Sequence, residues 1–162
     1  MVNEELDTDY LVVGAGAAGM AFTDGLLAHS DATVTIVDRR HAPGGHWIDA
    51  YPYVRLHQPS AFYGVGSVPL GHNEPDAAGT NAGYYELAGA DEIRAYFAQV
   101  MQRRFLPSGR VRYLPNTEYL GEGRFVWPWL GIEVCIFPND NKLASLPLLT
   151  DAARREDFLK RH

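Results

Sequence analysis

Two short apolar runs near the start of the chain flank a stretch with helical periodicity. Residues 10–13 read YLVV and residues 33–37 read TVTIV, and both runs are uncharged and rich in β-branched residues. Such runs are typical of strands buried on both faces of a parallel sheet. Between them, residues 17–29 carry Met20, Leu26 and Leu27, with Phe22 nearby, at roughly helical spacing. The pattern predicts a strand–helix–strand unit.

Three glycines join the first predicted strand to the helix in the spacing G-x-G-x-x-G. Gly14 can adopt the backbone angles of a tight turn, Gly16 leaves room for a ligand to approach the backbone, and Gly19 permits close helix–strand packing. Ala17 and Ala18 add little bulk at the start of the helix. The first N–H groups of a helix have no partner within it, and the positive end of the helix dipole favours phosphate there.

Asp38 ends the second predicted strand, about 20 residues after the glycine turn. An acid at this position meets the ribose hydroxyls of a dinucleotide. Because strands, turn, helix and acid are in register, the pattern favours a dinucleotide site over a glycine-rich turn without a ligand. We therefore predict an α/β, Rossmann-like domain with a parallel core sheet. Its first cofactor-binding residues are Gly14, Gly16, Ala17, Ala18, Gly19 and Asp38.

Beyond this unit, the pattern predicts one long loop, one helix and further strands. Residues 64–90 are rich in glycine, proline and asparagine, and so long a loop is usually functional or mobile. Residues 91–105 place apolar side chains on one helical face, and we expect Arg103 and Arg104 at its solvated end. Short strands are predicted at 111–114, 119–126 and 132–137.

Composition and charge limit the classes of function. The chain has 162 residues, a formal net charge of −6 and a single cysteine, Cys135. The acidic balance argues against a nucleic-acid partner, and one cysteine excludes an internal disulfide and a cysteine-rich metal site. No apolar run approaches the ~18 residues of a membrane span. Residues 1–8 read as a frayed acidic lead-in without a signal region. We therefore expect a cytoplasmic protein with no metal and no membrane partner.

A second glycine motif follows Asp38. Residues 43–47 read PGGHW, and the double glycine indicates a turn or a close approach of the backbone to another group. With the first motif and Asp38, it resembles the FAD-binding half of flavin-dependent monooxygenases and related FAD/NAD(P)-binding oxidoreductases. Residues 50–63 continue the resemblance, with matches at Tyr51, Pro52, Arg55, Ser60 and Tyr63. In all, the resemblance covers about residues 8–123. His57 departs from it, because Baeyer–Villiger relatives carry an aspartate there.

The resemblance implies FAD as the cofactor, with NAD(P)H as a possible electron donor. By this resemblance the three motif glycines hold the pyrophosphate of FAD, and Asp38 binds the adenosine ribose. Arg39 would lie over the adenine or pair with a phosphate. The implied substrate is a small molecule whose identity the sequence does not give.

The same resemblance implies residues on the flavin side of the cofactor. Gly45, His46 and Trp47 would approach the flavin, and Arg55 and His57 would lie near its ring. Each side chain has a plainer alternative: Trp47 as a core aromatic, Arg55 in a salt bridge, and His57 as a loop histidine. His57 is also the one weak catalytic candidate, because a histidine can move a proton near neutral pH.

The resemblance fades from Trp127 onward. We predict a Rossmann-like FAD-binding domain over 1–126 and an unassigned segment over 127–162, with completion of the same domain left open. A turn is expected at 138–141 and a short charged helix at 151–162. No second glycine fingerprint follows Gly19, so the sequence identifies no separate NAD(P)H site.

Two classes of function remain. The first is an FAD-dependent oxidoreductase of monooxygenase type, with this chain either an excised FAD domain or a small relative that a partner chain or a homo-oligomer completes. The alternative is a non-catalytic Rossmann module that binds FAD or NAD(P). The double-glycine loop favours FAD over NAD, and the missing second half favours the module.

Overall fold

A computed structural model describes residues 4–121, 124–127 and 132–136, and for 4–5, 124–127 and 132–136 it describes the backbone alone. The strands are β1 (Glu4–Leu6), β2 (Tyr10–Val13), β3 (Val34–Val37), β4 (Gly64–Val65), β5 (Val68–Pro69), β6 (Val111–Leu114), β7 (Glu118–Gly121), β8 (Arg124–Trp127) and β9 (Ile132–Ile136). The α-helices are α1 (Ala17–His29) and α2 (Ala90–Val100). No helix in this described part is long and apolar enough to cross a membrane.

The central sheet is parallel, with the strand order β2-β3-β6. Val12 lies opposite Ile36 in register, and Ile36 lies opposite Tyr113. The predicted α/β, Rossmann-like fold with a parallel core sheet is confirmed. Every residue of β3 is buried, as expected for a strand with neighbours on both sides.

Strand β2 differs from its prediction. Its last residue, Val13, is 57% exposed, although both faces of the strand were expected to be buried. Among the described strands, β2 pairs with β3 alone, so the glycine motif follows an edge strand. The apolar pattern of residues 10–13 cannot distinguish an edge from a centre, because it reports side-chain faces and not hydrogen-bond partners.

Helix α1 packs on the parallel sheet through few residues. Met20 is fully buried, but Phe22 is half exposed and meets the Tyr10 ring edge to face, with the ring centroids 5.9 Å apart. Phe22 therefore does not belong to the buried face, contrary to the sequence pattern. A Cβ built on Gly25 would meet nothing within 4 Å, which supports a tolerated glycine there over a close-packing role.

Helix α2 supplies the other half of the core. The five apolar residues expected on its face are buried: Ile93, Phe97, Val100, Met101 and Phe105. After Val100 the helix continues as one π-helical turn (Met101–Phe105) and one 3₁₀ turn (Leu106–Ser108). It ends at Gly109, whose φ of 68° is left-handed, as at many helix C-termini.

A second sheet has the order β1-β9-β8-β7. The lead-in predicted to be frayed contains β1, which pairs in parallel with β9 and buries Leu6. The single strand predicted at 119–126 is instead two antiparallel strands, β7 and β8. The strand expected at 132–137 is found as β9. The turn predicted at 138–141 and the helix at 151–162 lie outside the described residues, and the domain division at 126 stays a prediction.

Residues 64–90 form a loop region with little regular structure. A two-residue turn joins β4 to β5, and isolated bridges link Arg55 to Gly89 and Pro75 to Tyr85. His72 is exposed, with its side chain 3.7 Å from a carboxylate oxygen of Glu86. The region is therefore a set of tight turns held to the body of the domain.

Asp24 ties this loop region to both helices. The carboxylate is 3% exposed and accepts hydrogen bonds from the Ser67 backbone N–H (2.9 Å) and hydroxyl (2.5 Å). The Arg104 guanidinium donates to the same carboxylate in an ion pair. Arg104 was expected at a solvated helix end, and this contact corrects that prediction. Burial acts to raise the pKa of Asp24, but the bonds from Ser67 and Arg104 lower it overall.

We expect Asp24→Asn to lower the free energy of unfolding by about 2 kcal/mol at pH 7, because the amide cannot accept from all three donors. The folded-state pKa of Asp24 lies below its unfolded value, so its contribution is full above about pH 4 and is lost as pH falls through the folded pKa. Denaturant unfolding at pH 7 and pH 3 measures both effects. The difference between the two proteins should shrink at the lower pH.

Asp91→Asn is the matched control for this substitution. Asp91 also pairs with an arginine, Arg94, but its side chain is 76% exposed. Exposed pairs contribute little, so a change below about 0.5 kcal/mol is expected. Equal losses in the two variants would contradict the structural role assigned to Asp24.

Candidate functional site

A cleft of about 630 Å³ opens at the carboxyl ends of the parallel strands. This is the edge at which open α/β sheets bind ligands, and the volume is in the range of small-molecule sites. The cleft is lined by Val13, Gly14, Gly16, Ala17, Ala18, Gly19, Val37, Asp38, Arg39, Arg40, Gly45, His46, Tyr63, Thr117, Glu118 and Tyr119. The structure thus brings most of the predicted cofactor-binding residues together.

The first glycine turn forms the bottom of the cleft. Gly14 has a φ of 102°, and its N–H donates to the carbonyl of Val37 (2.7 Å). A Cβ on Gly19 would overlap the Gly14 carbonyl and lie 3.1 Å from the Val12 side chain. Gly19 therefore allows α1 to start directly against β2, and the first residues of the helix line the cleft.

The second glycine motif packs on the first. The N–H of Gly44 donates to the carbonyl of Ala15 (2.8 Å). A Cβ on Gly45 would lie 2.9 Å from the Cα of Gly16, and Gly45 also has a left-handed φ of 59°. Only glycine fits here without a backbone shift. The two motifs, far apart in sequence, therefore form one continuous backbone surface.

Asp38 holds this surface from behind. Its side chain is 4% exposed, and its two oxygens accept from the backbone N–H groups of Ala15 (2.6 Å) and Arg40 (2.8 Å). Its own carbonyl accepts from the N–H of Thr117 (2.8 Å). A carboxylate has about four acceptor positions, so Asp38 can still accept from a ribose hydroxyl.

The two arginines after Asp38 differ in what they contact. Arg40 pairs with Asp49, with 2.6 Å between the guanidinium and the carboxylate. Arg39 is exposed at the edge of the cleft and has no hydrogen bond or ion pair with any residue in the described part of the chain. Arg39 is thus a cation available to an anionic ligand.

An aromatic cluster closes the side of the cleft beyond Gly45. His46 lines the cleft and lies 4.9 Å from the Trp47 ring, centroid to centroid. Trp47 itself is 5% exposed and does not line the cleft, in agreement with its alternative as a core aromatic. Its indole N–H donates to the hydroxyl of Tyr63 (2.7 Å), and Tyr63 does line the cleft.

Besides Trp47, two further predicted residues do not line the cleft. Arg55 is exposed and donates to the backbone carbonyl of Leu87 (3.3 Å), with no ion pair to a described residue. His57 is exposed on the same segment and does not line the cleft. The predicted contacts of Arg55, His57 and Trp47 with a cofactor, and the catalytic candidacy of His57, stay predictions.

The predicted site residues do not include those of one wall of the cleft. Thr117, Glu118 and Tyr119 follow β6, the third parallel strand, and face the first glycine turn across the cleft. The strand at 111–114 was predicted, and the rule that ligands bind beyond the carboxyl ends of parallel strands was the signal for this wall. On β6 itself, burial and the charge of Asp38 raise the pKa of Tyr113, so its buried hydroxyl stays protonated.

Comparison with known proteins agrees with this geometry. A family described as an NAD(P)-binding Rossmann-like domain matches residues 12–61. The chain is 60% identical over 120 residues to the uncharacterized protein Rv2000 of Mycobacterium tuberculosis, which covers 74% of this chain and 22% of that protein. The chain thus spans about a fifth of the length of the curated relatives that it matches.

Solved structures share the fold. A flavin-containing monooxygenase from Stenotrophomonas maltophilia aligns with a TM-score of 0.54 at 22% identity, over 80% of this chain and 36% of that one. An S-allyl-L-cysteine S-oxygenase from Allium sativum aligns with a TM-score of 0.55 at 20% identity, over 83% and 37% of the two chains. At these identities the likeness concerns the fold, and at that level it confirms the predicted resemblance.

With the glycine turn, the acid after β3 and the parallel sheet in place, residues 12–61 match the NAD(P)-binding Rossmann-like domain model, in a fold that the chain shares with the two flavin-dependent oxygenase structures above.

Proposed function

We propose that this chain binds FAD and forms the cofactor-binding part of an oxidoreductase of flavin monooxygenase type. The observation that carries the proposal is the contact between Gly16 and Gly45, which joins two glycine turns into one surface at the start of α1. A single Rossmann turn suffices for many dinucleotides. The second turn extends the surface from the start of α1 toward His46 and Tyr63. FAD needs such an extended surface, because its flavin half continues well beyond the pyrophosphate.

The described residues fit the adenosine diphosphate half of FAD. A Cβ on Gly14 would meet nothing within 4 Å, so a phosphate can approach the backbone there. The first N–H groups of α1 supply donors, and Arg39 supplies a positive charge. Asp38 would accept from the ribose, and Thr117 to Tyr119 would border the adenine side of the cleft.

When bound, FAD supplies two-electron chemistry, with NAD(P)H as reductant and oxygen or a small-molecule substrate as acceptor. The residues of this chain would bind the cofactor, orient it and cover part of it from water. We assign no residue to NAD(P)H and no catalytic role beyond the candidacy of His57. The alternative proposal is a non-catalytic module that binds FAD or NAD(P) in the same cleft.

We expect the purified protein to take up FAD, and Gly16→Val to abolish uptake. Valine can adopt the φ of −84° at Gly16, but a Cβ there would already lie 3.4 Å from the Cα of Gly45, so the valine methyl groups would crowd the contact between the two turns. Flavin absorption after gel filtration and the dissociation constant from calorimetry measure the effect, with thermal unfolding to check folding.

Gly25→Val is the control for this experiment, since a Cβ at Gly25 meets open space on the same helix. It should bind FAD like the parent protein. A parent protein that is stabilised by NADH but not by FAD would contradict the FAD proposal. Unchanged FAD binding in Gly16→Val would contradict the proposed approach of the pyrophosphate.

Oxidation of NAD(P)H distinguishes the two proposals. If the chain is the oxidoreductase, the FAD-loaded protein should oxidise NADPH faster than an equal concentration of free FAD, because the protein orients the flavin for transfer. The loss of absorbance at the NADPH band measures the rate. A folded, FAD-loaded protein with no excess rate would favour the binding module.

We also propose that a partner segment completes the parallel sheet along β2. In β2, the N–H groups of Tyr10 and Gly14 point to β3, so those of Leu11 and Val13 point to the opposite edge. An edge that no described strand pairs with is a template for another strand, and Val13 is exposed there. The partner segment is either a second chain or a segment like those that the longer relatives have beyond the matched part. This chain spans about a fifth of the length of those relatives.

Hydrogen exchange tests the open edge. In this chain alone, we expect the amides of Leu11 and Val13 to exchange at least tenfold faster than that of Val12, whose N–H bonds to β3. Residue-resolved NMR exchange at several protein concentrations measures this. Slow exchange of all three amides at low concentration would show that the edge is already covered. Slowing only at high concentration would identify a second copy as the partner.

A further inference from the structure

The hydroxyl of Tyr63, a residue of the cleft wall, is bonded to another aromatic side chain. The Trp47 indole N–H donates to the Tyr63 oxygen at 2.7 Å, and the two rings meet edge to face, with centroids 6.1 Å apart at 79°. On its other side, the Tyr63 ring packs edge to face on the buried Phe97, also with a centroid distance of 6.1 Å. The phenol therefore has little rotational freedom.

This arrangement leaves the Tyr63 hydroxyl with a proton to donate. The oxygen already accepts from Trp47, and no residue of the described part of the chain accepts the phenolic proton. A phenol can both accept and donate a hydrogen bond. Tyr63 lines the cleft, so a ligand there can supply the acceptor.

The position of Tyr63 along the cleft indicates which part of a ligand it meets. A series of contacts runs from the Asp38 carboxylate to Ala15, from Gly16 to Gly45, and from the neighbouring Trp47 to Tyr63. Asp38 marks the adenosine end under the function proposed above. Tyr63 is therefore separated from that end by both glycine turns.

We propose that the Tyr63 hydroxyl donates a hydrogen bond to the non-adenosine half of the bound dinucleotide, and that Trp47 is the positioning residue that fixes this hydroxyl. The acceptor is an oxygen or ring nitrogen beyond the pyrophosphate. The inference rests on the proposed binding of FAD. Trp47 is buried and does not line the cleft, so it would act on the ligand through Tyr63 and not by direct contact.

Binding of FAD and of ADP by Tyr63→Phe tests the proposal. ADP carries the adenosine and both phosphates but lacks the second half of the dinucleotide. We expect Tyr63→Phe to weaken FAD binding about five- to tenfold, the effect of one hydrogen bond, and to change ADP binding by less than about twofold. The flavin absorption band of the FAD-loaded variant should also shift, since an acceptor on that half loses its donor.

The double variant tests the role of Trp47. We expect Trp47→Phe to weaken FAD binding and to have no further effect in the Tyr63→Phe background, because both substitutions remove the same interaction. Additive losses would mean that Trp47 acts independently of Tyr63 and would overturn the positioning role. Thermal unfolding reports whether Trp47→Phe folds. If Trp47→Phe does not fold, the comparison of FAD and ADP binding by Tyr63→Phe still tests whether the Tyr63 hydroxyl donates to the ligand.

Tyr84→Phe is the control, because Tyr84 is 74% exposed and does not line the cleft. It should leave both affinities unchanged. Equal weakening of FAD and ADP by Tyr63→Phe, or no weakening of either, would overturn the proposal while leaving FAD binding intact. A parent protein that binds ADP but not FAD would instead refute the proposed function, and this inference with it.

Discussion

The close approach of two backbone turns, at Gly16 and Gly45, determines the geometry of the cleft. A side chain at Gly45 would force the turns apart, because its Cβ would lie 2.9 Å from the Cα of Gly16. The bond from the Gly44 N–H to the Ala15 carbonyl and the bonds of Asp38 to Ala15 and Arg40 fix the same contact from two further directions. The start of α1, the acid after β3 and the aromatic cluster are all positioned relative to this contact.

Asp38 illustrates how one residue can satisfy two requirements. The acid was predicted to bind a ribose, and the structure reveals that its carboxylate also accepts the backbone N–H of Ala15 inside the glycine turn. Removing the acid would therefore leave a buried donor without a partner as well as removing an acceptor for a ligand. Loss of ligand binding in a variant of Asp38 would not by itself separate these effects. Gly16 is the better residue to test, because it makes no bond to Asp38 and a side chain there would act on the contact with Gly45.

The sequence pattern predicted those features of the structure that depend on residues close together in the chain. The bounds of α1, the glycine turn and the buried face of α2 follow from periodicity and residue type, and the structure agrees with them. The contacts that escaped prediction join residues far apart in sequence. Glu4 pairs with Val134 in the second sheet, and Arg104 reaches Asp24 across 80 positions. No periodicity in either segment encodes its partner, so the strand of the lead-in and the ion pair of the helix end were both missed. The same reason explains the cleft wall after β6, which becomes visible only when the strand order is known.

The aromatic side of the cleft depends on packing at some distance from any ligand. Tyr63 rests on Phe97 of α2, and the neighbouring Tyr96 accepts from the Val65 N–H (2.7 Å) and donates to the Val68 carbonyl (2.6 Å). The turn between β4 and β5 is in turn bonded to Asp24 of α1 through Ser67. Helices α1 and α2 are thus tied through one short hairpin, directly after the residue that faces the cleft. Since a hydroxyl displaced by 1 Å no longer makes a good hydrogen bond, this hairpin contributes to the site by holding the backbone of Tyr63 in place.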